Sequence, residues 1–388
     1  MIPAKRLDSL GASVFSEMDN LRRELEKAGK DLINLSIGSP DRAPALEIRQ
    51  ILSEAVLDDS QFGYTLTRGT AHFRTACATW YLDRFGVSLD PETEVLPLMG
   101  SQDGLAHIFL AYVDPGELAL IPDPGYPIYT AGLMLAGGEK VAMPLLEENG
   151  FLPDLKQIDP EIARKAKLMF LNYPNNPTAA VAPLSFFEKV VEFAKVNDLL
   201  ICHDAAYSEL AFDGYRPVSF LQAQGAKDVG VEFHSVSKTY NLAGARLGFV
   251  VGNSEVIKNL TQLKANIDYG VFRPVLTAAA YALSSAQTSI EENRSAYERR
   301  RNVLIDGCAL AGWKMPSPQG SMFIWAPVPT EQDSLSFAIA LAREAGVVVV
   351  PGVGFGEHGE GYVRIAMVQD EIVLQEAVSR IQKFLKKP

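Results

Sequence analysis

Ser235-Val236-Ser237-Lys238-Thr239-Tyr240, followed three residues later by Gly244-Ala245-Arg246-Leu247-Gly248, is flanked by two short apolar runs, residues 231–235 (VEFHS) and 247–252 (LGFVVG). Both runs read as buried strands, short and bounded by turn residues. Between them lies a loop rich in hydroxyls. A lysine enclosed near positive charge loses basicity and becomes a nucleophile or a base. Two serines and an arginine eight positions past the lysine are the donors that hold a phosphate: hydroxyls plus a bidentate fork. A strand-end turn with a solvated lysine fits Ser-x-Ser-Lys equally well. The downstream Gly-Ala-Arg-Leu-Gly leading into another strand weighs against that.

Working outward, further strands are expected at residues 118–122 (LALIP), 167–172 (KLMFLN) and 199–203 (LLICH), with helices over 104–113 and 183–197. Strands alternating with helices predict an α/β fold, a mainly parallel sheet with both faces covered. From about residue 285 the pattern changes. A polar helix (289–304) precedes strand-like runs at 321–328 and 347–352, and an amphipathic helix (370–387) closes the chain. At 388 residues the chain exceeds the roughly 100–200 residues of one domain. The expected division is a large domain over 46–284 and a smaller α+β domain built from 1–45 and 285–388.

Apolar residues make up 47% of the chain and charged ones 21%, the balance of a globular enzyme. The net charge of −11 leaves no basic surplus for a nucleic acid. No window approaches the roughly 20 apolar residues of a membrane span, and the N-terminus lacks the apolar stretch of a signal peptide. Cys77, Cys202 and Cys308 are too few and too scattered for a disulfide framework, which suggests a reducing cytosol. The five histidines show no metal-ligand spacing, so no metal is expected.

Three other segments carry chemistry. Met99-Gly100-Ser101-Gln102-Asp103-Gly104 opens a helix, where free backbone N–H groups face an anion; an ordinary helix cap reads the same. Asn172-Tyr173-Pro174-Asn175-Asn176-Pro177-Thr178 follows a strand, and its prolines can hold Asn176 in one orientation, or simply make a rigid turn. In Cys202-His203-Asp204-Ala205-Ala206-Tyr207, Asp204 falls at the end of a buried strand, where open α/β sheets place ligand groups. A carboxylate there needs a cation, unless it caps the next turn.

Together, and in this order over nearly the whole chain, these segments resemble the class I/II aminotransferases, fold-type-I enzymes that use pyridoxal 5'-phosphate. The resemblance implies a seven-stranded sheet in the large domain. It implies that Lys238 binds the cofactor covalently and moves protons, and that Asp204 pairs with the pyridine nitrogen. Tyr207 and Asn176 would bond the ring's phenolic oxygen. Gly100, Ser101, Gln102, Ser235, Ser237 and Arg246 would surround the phosphate. Tyr126, in Asp123-Pro124-Gly125-Tyr126-Pro127, would stack on the ring, and Tyr64 would reach the phosphate of a neighbouring subunit in a homodimer. Arg364, in Gly361-Tyr362-Val363-Arg364, and Gly38, in Ser36-Ile37-Gly38-Ser39, would meet the substrate carboxylate, beside Tyr126 and Asn176. One departure stands out: the family's Asn-Pro-Thr-Gly is Asn176-Pro177-Thr178-Ala179 here.

Within the family the motifs look most like the LL-diaminopimelate aminotransferase group, which implies a diamino dicarboxylic donor, 2-oxoglutarate as acceptor and a place in lysine biosynthesis. Alanine, aspartate or aromatic aminotransferases and a carbon–sulfur β-lyase share the same cofactor residues. A cofactor-binding transcription regulator would need a DNA-binding segment that the sequence does not contain. Residues 351–356 (PGVGFG) lack the spacing of a dinucleotide loop and are read as a glycine-rich loop beside the Arg364 strand.

Overall fold

The computed structural model describes residues 4–10, 14–285 and 287–386. Parts of the N-terminal segment and the last residue of the expected closing helix lie outside them. Twelve strands occur among the described residues: β1 (Ile33–Asn34), β2 (Val95–Leu98), β3 (Leu118–Asp123), β4 (Glu139–Pro144), β5 (Ala166–Asn172), β6 (Leu200–Asp204), β7 (Gly230–Ser235), β8 (Gly248–Gly252), β9 (Phe323–Pro327), β10 (Val347–Val348), β11 (Val350–Pro351) and β12 (Tyr362–Ala366). Seven form one sheet in the order β2-β8-β7-β6-β5-β3-β4. Only β8 runs against its neighbours.

Alternation along the strands explains why both faces are covered. Met169, Leu171 and Ile201 face a core shared with Trp80, Phe187 and Val190. Leu168, Phe170 and Cys202 face another, shared with Leu105, Ile108 and Phe109. Each such large side chain contributes about 1.5–3 kcal/mol by leaving water. The chain leaves β3 for the edge strand β4 and returns to β5 on the other side of β3, so the order reverses there. Open sheets bind ligands at such reversals, beyond the carboxyl ends of the strands.

Two strands of the large sheet escaped the sequence pattern, as did the two-residue β1. β2 is short, contains Pro97 and lies at the sheet edge, where a missing N–H is tolerated. β4, at the other edge, is mostly solvent-facing, opens on Glu139 and Lys140 and ends on Pro144. The first phosphate-type helix begins at Ser101 rather than 104, because Gly100 takes φ +84 and turns the chain into it. The hydroxyl-rich loop after β7 is a helical turn, Val236–Thr239, capped by the Ser235 side chain.

The C-terminal elements form the sheet β11-β12-β9. The run expected as one strand at 347–352 is split: β10 pairs with β1, whereas β11 pairs with β12. Residues just after β1 are threaded between, with Leu35 N–H on the Val348 carbonyl and Ala366 N–H on the Leu35 carbonyl, both 2.8 Å. No helix among the described residues is long and apolar enough to cross a membrane.

Candidate active site

A cavity of about 920 Å³ opens where the large sheet's strand ends meet β12 and the segment after β1. Gly38, Ser101, Gln102, Tyr126, Asn176, Asp204, Tyr207, Ser235, Ser237, Lys238, Arg246 and Arg364 all line it. Gly100 lies behind the wall: a Cβ there would stand 2.6 Å from Arg246 Nη2, so glycine lets the guanidinium close on the helix start. Tyr64 is 90% exposed and does not line the cavity of its own chain.

Lys238 projects from the turn after β7, and its Nζ donates to the Gly38 carbonyl at 2.5 Å. Burial, then the Arg364 and Arg246 charges, push its ammonium down to about 8; Asp204 opposes them. About a tenth is therefore free amine at pH 7, far more than for a lysine in water.

Asp204 ends β6 and is buried. Burial raises its carboxyl above the usual range. Hydrogen bonds from Tyr129 Oη (2.8 Å) and the Ala206 N–H (3.2 Å) pull the other way, with nearby His203 and His234. No lysine or arginine pairs with it among the described residues. Tyr207 stands close by, its phenol held protonated by burial and by the Asp204 charge.

At the other corner, Ser101 starts its helix, Ser235 Oγ accepts from the Ser237 N–H at 3.2 Å, and Arg246 Nη1 donates to the Ala243 carbonyl at 3.3 Å. Helix N–H groups, hydroxyls and the rest of the Arg246 fork thus converge on one point, which suits a phosphate. Tyr126 Oη donates to Gln102 Oε1 at 3.2 Å, which ties its ring to this corner.

Arg364 is buried, and burial pushes it down to about 10. Its Nη1 donates to Asn176 Oδ1 (2.9 Å) and its Nη2 to the Ser36 carbonyl (2.7 Å), while Nε has no partner. Its guanidinium carbon lies 4.1 Å from the Phe323 ring centroid and 4.8 Å from that of Phe355. A buried guanidinium without a carboxylate awaits one. A Cβ on Gly38 would stand 2.6 Å from the Phe323 ring, so only glycine brings the chain this close.

Sequence reasoning missed Tyr129, Asn172, Phe323 and Phe355. Asn172 Nδ2 donates to the Asp204 carbonyl at 2.7 Å, and its Oδ1 accepts from the Asn176 N–H at 2.7 Å. It sat in a quoted motif at a strand end and could have been found. The two phenylalanines had no such signal. Ala179, the departure from the family pattern, sits at φ +58, the left-handed region that glycine enters freely. Asn175 holds that turn: its Oδ1 accepts from Thr178 N–H and Oγ1, both at 2.9 Å. Outside the cavity, Asp103, His107 and Asp268 bring ligand atoms within 4.8 Å of one another. The buried Lys264 ammonium already bridges those two carboxylates.

The model of the family "aminotransferase class I and II" matches residues 30–381. The chain belongs to the class I and II aminotransferases. An LL-diaminopimelate aminotransferase of Moorella thermoacetica is 48% identical to it, over 100% of this chain and 99% of that one. One from Syntrophobacter fumaroxidans is 48% identical over 99% of each. Among solved structures, substrate-bound BacF from Bacillus subtilis superposes on this aminotransferase with a TM-score of 0.95 and 41% identity, covering 99% of this chain and 98% of that one. A Thermus thermophilus aspartate aminotransferase mutant has a TM-score of 0.93 at 27% identity, covering 99% and 100%. This aminotransferase thus has the fold-type-I architecture expected from its sequence. Its family uses pyridoxal phosphate to exchange amino groups between amino acids and 2-oxo acids.

Proposed function

We propose that this aminotransferase holds pyridoxal 5'-phosphate in the cavity and moves the amino group of LL-diaminopimelate to 2-oxoglutarate, a step of lysine biosynthesis. The observation that carries the cofactor reading is Asp204: a buried carboxylate without a cation, sharing a cavity with a lysine of lowered basicity. A protonated pyridine nitrogen is the partner it lacks. The cofactor, once bound, supplies an electron sink for the carbon that loses its proton. Lys238 would hold it through its amine, and the same amine, of lowered basicity, would serve as the proton carrier beside the reacting carbon. Asn176 Oδ1 is taken by Arg364, which leaves Nδ2 to donate to the ring's phenolic oxygen alongside Tyr207. Tyr126 covers the ring face. Ser101, Gln102, Ser235, Ser237 and Arg246 would surround the phosphate, with Gly100 behind them letting the Arg246 guanidinium close in. Arg364 takes the substrate carboxylate, beside the Gly38 backbone.

A homodimer belongs to this reading. Phe62, Tyr64, Leu66, Tyr269 and Phe272 are exposed together, with ring centroids 5.8 Å apart for Phe62–Phe272 and 6.0 Å for Tyr64–Tyr269. A patch of this kind suits a subunit contact, from which Tyr64 reaches the partner's phosphate. The domain division at 46–284 and a cytosolic setting complete the proposal; the three cysteines are free and buried.

The LL-diaminopimelate reading rests on the named relatives. Phe15, Met18, Ile37 and Val350 also line the cavity, an apolar wall that favours an apolar amino acid as the second reading. Single-turnover mixing of holoenzyme with LL-diaminopimelate, glutamate, alanine, aspartate or phenylalanine separates them, followed by loss of the resting cofactor absorption. Rapid loss with LL-diaminopimelate supports the proposal. Rapid loss with phenylalanine alone moves the specificity to apolar donors. Release of pyruvate and ammonia without that loss identifies a lyase instead.

A further inference from the structure

The glycine-rich stretch at 351–356 has no place in the cofactor reading, yet it is built into the wall beside Arg364. It folds as two short turns, Gly352–Phe355 and Glu357–Gly359, packed backbone against backbone. A Cβ on Gly352 would collide with the carbonyls of Gly359 and Tyr362, and one on Gly356, at φ +137, with the Asp123 carboxylate. Close packing, rather than a nucleotide, is what these glycines permit.

Five of the ten residues 352–361 are glycine. Each loses more chain entropy on ordering than alanine, by roughly 0.5–1 kcal/mol, so the loop needs tethers. Some lie within the C-terminal elements: Ser334 N–H and Oγ donate to Glu360 at 2.7 and 2.8 Å, and Val328 N–H donates to the Gly361 carbonyl at 2.8 Å. Others reach across to the large sheet. Gly125 N–H donates to the Phe355 carbonyl at 2.9 Å. Asp123, the buried last residue of β3, accepts from the His358 N–H at 3.1 Å through Oδ1 and from Lys140 Nζ at 2.9 Å through Oδ2. The loop's payload is Phe355, whose ring lies against the Arg364 guanidinium and meets Phe15 edge-on at 5.1 Å.

We propose that Asp123 is a positioning residue for substrate binding: it latches the glycine-rich loop to the large sheet, so that Phe355 and Phe323 together fix the Arg364 fork for the substrate carboxylate. This rests on the reading of Arg364 given above. Bidentate recognition tolerates only about 10–20° of misorientation, and a planar cation lying against two rings is restrained in that respect. Because amino acid and 2-oxo acid share the carboxylate, the latch acts on both.

The test compares holoenzymes carrying Asp123→Ala, Asp123→Asn, Phe355→Leu and the double change Asp123→Ala/Phe355→Leu. It reads kcat and KM for both substrates, and the Kd of glutarate by calorimetry. Asp123→Ala raises both KM values and the glutarate Kd by roughly tenfold, with kcat within about threefold of the parent. Asp123→Asn keeps an acceptor for His358 but loses the ion pair with Lys140, and falls between. The double variant is no worse than the worse single, since both act through one contact. A lost kcat with unchanged KM, a KM effect confined to one substrate, or additive losses overturn the latch. Should the alanine variant fail to fold, a parental glutarate Kd in Asp123→Asn overturns it alone. Arg364→Leu with unchanged KM would instead remove the Arg364 reading itself, whereas normal Asp123 variants beside a crippled Arg364→Leu remove only the latch.

Discussion

At one end of the cavity, Lys238, Asp204, Ser101 and Arg246 stand at strand ends and helix starts associated with a single sheet. At the other end, Arg364 comes from β12, Gly38 from the segment after β1, and Asn176 from the loop after β5. The first end works by charge. Burial and neighbouring cations lower the basicity of Lys238, and burial raises the Asp204 carboxyl. The second end works by shape: one guanidinium is held between rings and carbonyls. The difference teaches that chemistry and binding are placed by different means here, one by the sheet and the other by how three distant segments pack, while the Arg364 charge and the Gly38 carbonyl couple the second end to Lys238 at the first.

Changes at the first end should therefore remove turnover. Lys238→Ala takes away both the attachment point and the proton carrier, and kcat falls by roughly 10⁴ or more. Near-parental turnover in that variant would erase the chemical end altogether. Changes at the second end should be read in binding. Arg364→Leu lowers kcat/KM by roughly 10²-fold, mostly through KM, for donor and acceptor alike. A fall carried by kcat alone would merge the two ends.

The charge argument also sets a pH dependence. Lys238 is lowered to about 8, so the fraction of reactive free amine rises with pH below that value and saturates above it. Capture of added pyridoxal phosphate by apoenzyme should accelerate by about tenfold per unit below the inflection and then level off. Stopped-flow absorbance checks this, and a rate still climbing at pH 10 would contradict the lowered basicity. The smallest effect concerns the turn that joins the two ends. Ala179→Gly relieves the left-handed strain but frees the unfolded chain, for a net gain of about 0.5–1 kcal/mol in urea unfolding. A loss of stability would show that the turn is not strained.

Much of the chemical end was legible because each residue sits in a local signal: a short apolar run, then a turn residue, then a helix. Such signals depend on neighbours within a few positions. Lys238, Asp204 and Ser101 could be named from them, with the family resemblance supplying their roles. The edge strands β2 and β4 were missed because an edge relaxes the very rules, apolar alternation and no proline, by which strands are recognised. Arg364 and Gly38 were reached through resemblance alone, since no local pattern marks an arginine that will be buried against two phenylalanines.

By itself the sequence determined the alternating α/β sheet and the set of reactive groups at its strand ends, because hydrophobic periodicity and turn chemistry act over short distances. Only the tertiary structure decided how Arg364 is held, why Gly38 must be glycine, and what the loop at 351–356 does. Those depend on contacts between segments hundreds of residues apart, such as Arg364 with Ser36 and His358 with Asp123, which local patterns do not encode.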